Sequence, residues 1–190
     1  MDSVYWNEFY KNNSINLNTC SDFCNFVIKY FENYNINNIL DAGCGNGRDS
    51  RVLSIKYKVT AVDNSGFIPD NTTNCKFKND SFITTDKENY DLIYSRFTFH
   101  SITNEEHLDF LSSIKANTYL AIEARSLKNS DNEKIHGTTH YRNYIELDYL
   151  TKLLEKNNFE ILFINESDNV AIYKSENPIC VRVICKKLIA

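Results

Sequence analysis

The chain has 190 residues, 42% of them hydrophobic and 24% charged, enough for one domain with a sizeable core. A net charge of −4 speaks against a nucleic-acid partner, whose phosphates demand a basic face. No apolar run approaches the ~20 residues that span a bilayer, and MDSVYWNEFY has neither the basic start nor the apolar stretch of a signal peptide. A single domain over 1–190 is therefore expected, in the cytoplasm and off the membrane, with a small molecule as partner; the sequence leaves the oligomeric state open. Cys20, Cys24, Cys44, Cys75, Cys180 and Cys185 form no C-x-x-C pair, and several lie in apolar runs. They read as small buried hydrophobes of a reducing compartment, not as disulfides or zinc ligands.

The first 35 residues read as a helical segment. Tyr5, Trp6, Phe9 and Tyr10 of YWNEFYKNN suit either an amphipathic helix docked on the core or a lid. T-x-x-D at 19–22 predicts a helix start, and Phe23, Phe26, Val27, Tyr30, Phe31 and Tyr34 follow as one helical stripe. Strands and helices then alternate. Residues 36–41 form the first predicted strand, 47–55 a crossover helix and 59–63 the second strand. The link 64–74 holds Gly66 and Pro69 and is too short for a full helix. Strands follow at 75–78 and 91–95. Thr103 to Glu106 predicts a capped helix with Leu108, Leu111 and Ile114 on its apolar side. A fifth strand spans 119–124, Leu147, Leu150, Leu153 and Leu154 mark another helix, and 159–165 and 179–185 complete the series. Such alternation implies an α/β fold with a mostly parallel sheet covered on both faces. The last two strands lack a helix between them, which predicts an antiparallel hairpin at one edge. The least patterned stretch, 126–143, is polar, and a long irregular loop in a compact domain is often functional.

ILDAGCGNGRDS, residues 39–50, carries the most chemistry. It reads as a buried strand ending in Asp41, a glycine loop, and a helix start whose unpaired amides face a ligand. A dinucleotide loop has G-x-G-x-x-G, and its last glycine position is Arg48 here. Asp41 would repel a pyrophosphate and suits ammonium and sulfonium charges. The segment resembles the first motif of class I S-adenosylmethionine-dependent methyltransferases, and the strand count resembles their seven-stranded, Rossmann-like sheet from about residue 36 onward. The resemblance implies S-adenosyl-L-methionine as cofactor, with Asp41, Gly43 and Gly45 at its charged end. Asp63 ends the second strand, where an acid commonly accepts ribose hydroxyls; Asn64 is placed to touch the adenine edge. In the family an acid after the third strand reads the adenine amino group, which here implies Asp80, with the Ser81 backbone beside it and Phe82 against the ring. Ser95, at the end of the fourth strand, completes the expected cofactor set.

The fourth strand runs into YSRFTFHSI, without the prolines of the [DNS]-P-P-[YFW] motif of amino-methylating nucleic-acid enzymes. Arg96 and His100 stand at the sheet mouth instead. Glu123 and Arg125 follow from IEARS, and His136, His140, Tyr141 and Arg142 from the polar loop. Together they suit an anionic small molecule, with Arg96, Glu123, Arg125, Tyr141 and Arg142 as its contacts. A phosphoryl oxygen needs no base, whereas a hydroxyl does, and His100 and then His140 are the candidates. Tyr173 is a further candidate wall. No metal is expected, since His and acids lack ligand spacing. YWNEFY, GNGRDS, YSRFTFH, IEARS, HYRNYI and ENPICVRVICKK together resemble small bacterial methyltransferases of surface-polysaccharide gene clusters, including enzymes proposed for capsule methyl phosphoramidate biosynthesis. The competing readings are a non-catalytic S-adenosylmethionine-binding subunit, an enzyme acting on a neutral hydroxyl and, disfavoured by Arg48, a dehydrogenase.

Overall fold

In the computed structural model the described residues are 3–12, 19–129, 141–173 and 175–189. Two N-terminal helices, α1 (Ser3–Asn12) and α2 (Asp22–Tyr30), precede β1 (Asn38–Ala42), α3 (Arg48–Leu53), β2 (Lys58–Asp63), β3 (Cys75–Asn79) and β4 (Leu92–Arg96). Then come α4 (Asn104–Ser112), β5 (Tyr119–Arg125), α5 (Leu147–Lys156), β6 (Phe159–Ser167) and β7 (Cys180–Lys187). The seven strands order as β3-β2-β1-β4-β5-β7-β6. All pairings are parallel except those of β7, which runs antiparallel to both β5 and β6. The expected α/β class and antiparallel C-terminal hairpin are both present, with β6 as the outer strand.

The central strands read as unbroken apolar runs because both of their faces are covered. Leu40 and Ala42 of β1, with Leu120 and Ile122 of β5, pack toward Phe110, Leu111, Leu150 and Leu154 of α4 and α5. Ile39 and Ala121, which alternate with them, face Phe23, Val27 and Leu53 of α2 and α3. α5 is held by its apolar stripe, with Leu150, Leu153 and Leu154 buried. α4 starts in the expected capping box, Thr103 accepting from Glu106 N–H while the Glu106 side chain accepts from Thr103 N–H. The start of α2 differs from expectation. Ser21, not Thr19, is its cap, because the Ser21 Oγ accepts from Cys24 N–H while its own N–H and O–H donate to the Asp49 carboxylate at 2.8 and 2.6 Å. A tertiary partner selects the serine. The predicted crossover helix is shorter than 47–55, and the last strand lies slightly C-terminal to 179–185.

Strand order reverses between β1 and β4, which opens a crevice beyond their C-terminal ends. No described helix is long and apolar enough to cross a membrane.

Candidate active site

The loop after β1 holds its shape through Gly43, Gly45 and Gly47, all of positive φ. Gly43 and Gly45 have φ of 82° and 56°, in the left-handed region that costs other residues about 1–2 kcal/mol. A Cβ on Gly45 would stand 2.6 Å from the Tyr10 hydroxyl, and one on Gly43 would run into Thr98 Cγ2. Asp63 at the end of β2 braces this loop: one carboxylate oxygen accepts Gly45 N–H and the other Ser65 N–H, both at 2.9 Å. Asp41 is buried and accepts the Ser50 hydroxyl at 2.6 Å. Burial, reinforced by the neighbouring Asp49 and Asp63 charges, pushes its pKa up to about 7. Asp49 accepts from Ser21, from the Tyr94 hydroxyl at 2.7 Å and from Arg48 Nε at 3.1 Å. Burial works against its charge, yet Arg96, Arg48 and the Ser21 bonds outweigh it and hold the carboxyl below its ordinary range.

These groups line one end of a cavity of about 320 Å³. The other end is built by side chains from β4, β5, the β6–β7 connection and Arg142. Glu123 is fully buried and spans two arginines, accepting Arg96 Nε at 2.8 Å and Arg182 Nε at 2.7 Å. Burial opposes the Arg96 charge, but Glu123 and Asp49 more than offset it, so the guanidinium pKa sits above its usual value. Arg125 pairs with Glu176 at 2.5 Å. Between them stands Phe97, with φ of 60°, its ring 4.2 Å from the Arg96 guanidinium and 5.5 Å from that of Arg125. A bulky residue in that backbone region marks strain kept at a functional position. His100 lines the same end, its Nδ1 accepting Arg125 N–H at 3.1 Å. The α1 aromatics Tyr5, Trp6, Phe9 and Tyr10 form one long wall, and Ala171, Ile172 and Tyr173 another. Tyr10 feels the Asp63, Asp41 and Arg96 charges while Tyr5 feels Arg142 and Glu176, so α1 spans from the glycine loop toward Glu176.

Of the residues expected from sequence, Asp41, Gly43, Gly45, Asp63, Phe82, Arg96, His100, Arg125, Arg142 and Tyr173 reach the cavity wall. Others do not. Glu123 lies behind Arg96, so a substrate contact is corrected to a brace, because both its oxygens are committed to guanidinium groups. Ser95 is fully buried with its hydroxyl on Thr98 Oγ1. Asp80 takes Ser81 N–H and Ser81 Oγ takes Ile83 N–H, a self-contained turn off the cavity wall. Tyr141 is exposed, and Asn64, next to Asp63, has its Oδ1 buried and without a hydrogen-bond partner among the described residues. His136 and His140 fall outside the described residues. Asp49, Phe97, Thr98 and Glu176 escape a sequence reading; only Asp49, inside GRDS, had a local signal. Among the described residues no group of three His, Cys, Asp or Glu is placed to hold a metal ion.

The glycine cradle, the buried carboxylates and the orphaned Asn64 acceptor fit a ligand that carries positive charge and an adenosine group. The comparisons agree with that fit. The Methyltransferase domain family matches residues 18–163. A methyltransferase from Anabaena variabilis superposes with a TM-score of 0.72 at 18% identity, covering 96% of this chain and 92% of its own. The 1,6-didemethyltoxoflavin-N1-methyltransferase of Burkholderia thailandensis, solved with its substrate and S-adenosylhomocysteine, gives 0.68 at 16%, covering 88% and 77%. TehB from Haemophilus influenzae gives 0.63 at 18%, over 86% of this chain and only 62% of TehB. No curated protein matches the sequence. With most of its length matched by that family, the chain belongs to the Methyltransferase domain family: it is an enzyme whose methyl donor is S-adenosylmethionine.

Proposed function

We propose that the protein methylates a small anionic acceptor, a phosphoryl oxygen such as that of a phosphoramidate or sugar-phosphate intermediate of capsule biosynthesis. The observation that carries this reading is the division of charge within one cavity. Around the glycine loop four carboxylates, Asp22, Asp41, Asp49 and Asp63, stand with Arg48; Arg96 sits between Asp49 and Glu123; and Arg125 and Arg142 stand with Glu176. The donor's positive charge therefore has its place among the carboxylates and the acceptor's negative charge its place from Arg96 onward. Glu123 fixes Arg96 through Nε, and neither Nη group of Arg96 has a partner among the described residues. That leaves a fork of N–H groups suited to two oxygens of one anion. The resemblance of YSRFTFH, IEARS and HYRNYI to capsule-cluster methyltransferases supports the phosphoramidate choice.

The bound cofactor supplies a methyl group already activated on a sulfonium. The chain supplies alignment: Asp41 would hold the cationic end and Asp63 the ribose hydroxyls, and the arginines hold the acceptor in line. α1 serves as a lid that keeps water from the gap. Such alignment is worth about 7–11 kcal/mol of effective molarity. Release of S-adenosylhomocysteine, measured with phosphoramidate, a phosphate monoester, a neutral alcohol and an oligonucleotide, tests the reading. Turnover with the phosphorylated compounds is expected. Turnover with the alcohol or the oligonucleotide instead would overturn it.

A further inference from the structure

Among the described residues, the non-glycine positions of positive φ are Asn117, Asn158, Asn169 and Phe97. Asparagine tolerates that region and sits there in turns and bends outside the regular elements. A bulky aromatic residue does not, and such strain persists only where the surroundings impose it. At Phe97 they do. β4 has just ended at Arg96, and the Phe97 N–H donates to the Glu123 carbonyl at 2.7 Å, which ties the turn to β5. The tie fixes where the ring stands on the cavity wall. Its centroid lies 4.2 Å from the guanidinium carbon of Arg96 and 5.5 Å from that of Arg125, so one ring meets cations from two strands.

We propose that Phe97 is a positioning residue for the acceptor: its ring holds the guanidinium groups of Arg96 and Arg125 by their faces, so that their edges meet one anionic group together. A carboxylate holds a guanidinium differently. It takes N–H groups and offsets the charge, as Glu123 does at Arg96 Nε and Glu176 at Arg125 Nη2. A further acid between the two arginines would compete with the ligand for the same edges. An aromatic face attracts a cation through its quadrupole and uses none of those N–H groups. It also draws two like charges toward one point without cancelling either. Two guanidinium edges brought together suit a group with several oxygens, such as a phosphoryl group. Leucine at this position would keep the strained backbone and lose the face; asparagine would relieve the backbone and lose the ring.

The inference rests on the anionic-acceptor reading, and the probe is inorganic phosphate added to full-length protein saturated with S-adenosylhomocysteine. Binding is followed on the arginine Nε–H signals of ¹⁵N-arginine-labelled protein, assigned by their loss in Arg96→Gln and Arg125→Gln. Pentafluorophenylalanine placed at position 97 nearly keeps the ring's shape and reverses the charge of its face. Holding by the face predicts phosphate binding weakened about tenfold both by that ring and by Phe97→Leu, and roughly unchanged in Phe97→Tyr. S-adenosylhomocysteine affinity should be unaltered in all of them. Wild-type phosphate affinity in the fluorinated protein overturns the inference. Stability separates positioning from plain packing: Phe97→Asn should unfold at higher urea than Phe97→Leu yet bind phosphate no better. Phosphate affinity that instead follows stability across the variants makes Phe97 a packing residue and overturns the inference as well. Failure of the anionic acceptor looks different. The ring current should hold the Arg96 and Arg125 signals upfield in wild type and release them in Phe97→Leu, whether or not phosphate is present. Signals that behave so in a protein whose spectrum phosphate leaves unchanged would overturn the anionic acceptor and, with it, the positioning role. Signals that stay in place in Phe97→Leu overturn the inference alone.

Discussion

At the glycine loop the cavity is shaped by main chain, with Gly43 and Gly45 turned into left-handed conformations, the Gly45 N–H donating to Asp63 and the Gly43 N–H to the Val62 carbonyl. At the arginine end it is shaped by side chains, and two of its cations are held by acids from distant parts of the sequence: Arg96 by Glu123 and Arg125 by Glu176. A cofactor shared across many enzymes can be met by a fixed backbone cradle encoded in a dozen contiguous residues. An acceptor peculiar to one enzyme is met by long side chains whose positions depend on partners far along the chain. The two ends should therefore fail differently when altered.

The largest effect is expected at Glu123. Glu123→Ala leaves the buried Arg182 and the partly buried Arg96 guanidinium without their shared carboxylate, a loss of about 3–5 kcal/mol of folding stability, read from urea denaturation. Little change in the midpoint would show that Arg96 and Arg182 find other partners and that the acceptor end is not braced as described. Next in size is Arg125→Gln, which should raise KM for a phosphorylated acceptor by about 1.5–3 kcal/mol equivalent, tenfold or more, while leaving S-adenosylhomocysteine affinity within twofold by calorimetry. Loss of cofactor affinity with acceptor KM unchanged would mean that the ends have been assigned the wrong way round.

Asp63→Ala is the counterpart at the cradle. It removes acceptors for Gly45 and Ser65 N–H and for the expected ribose hydroxyls, and should weaken cofactor binding by about 1–3 kcal/mol in a protein that still folds. The smallest effect is a pH dependence from Asp41, whose pKa burial raises to about 7. Because the folded value lies above the unfolded one, this group's contribution to stability is full below about pH 4 and is lost as pH rises through about 7. A cationic ligand favours the ionised form, so S-adenosylmethionine affinity should be highest above pH 7 and fall at most about tenfold per unit below it. A flat affinity between pH 5.5 and about 8 would remove Asp41 from the charge balance of the cradle.

The same contrast explains what could be read in advance. The cradle was legible because its constraints are local: DAGCGNG fixes a strand end, a turn and a helix start within one segment. The sheet was legible too, since strands buried on both faces read as apolar runs. Glu123 misled because strand position places it at the sheet mouth, while only the register across β5 and β7, where it sits opposite Arg182, shows that it faces inward. Asp80 and Ser81 lie off the cavity wall, in an Asp-Ser turn that forms without any ligand. Glu176 and Phe97 had no local signal at all: one depends on the β6–β7 connection folding back, the other on a backbone conformation that no pattern announces.

The most direct test of a cavity divided between a cationic donor and an anionic acceptor is the identity of the methylated atom. S-adenosylmethionine carrying a ¹³C-methyl group, incubated with the enzyme and phosphoramidate, should yield a product whose methyl carbon couples to phosphorus in the NMR spectrum and has the chemical shift of an oxygen-bound methyl, marking a new O–CH3 bond on the phosphoryl group. A methyl carbon at the shift of a nitrogen-bound methyl, or one uncoupled to phosphorus and found only on a neutral hydroxyl compound added in competition, would contradict the account.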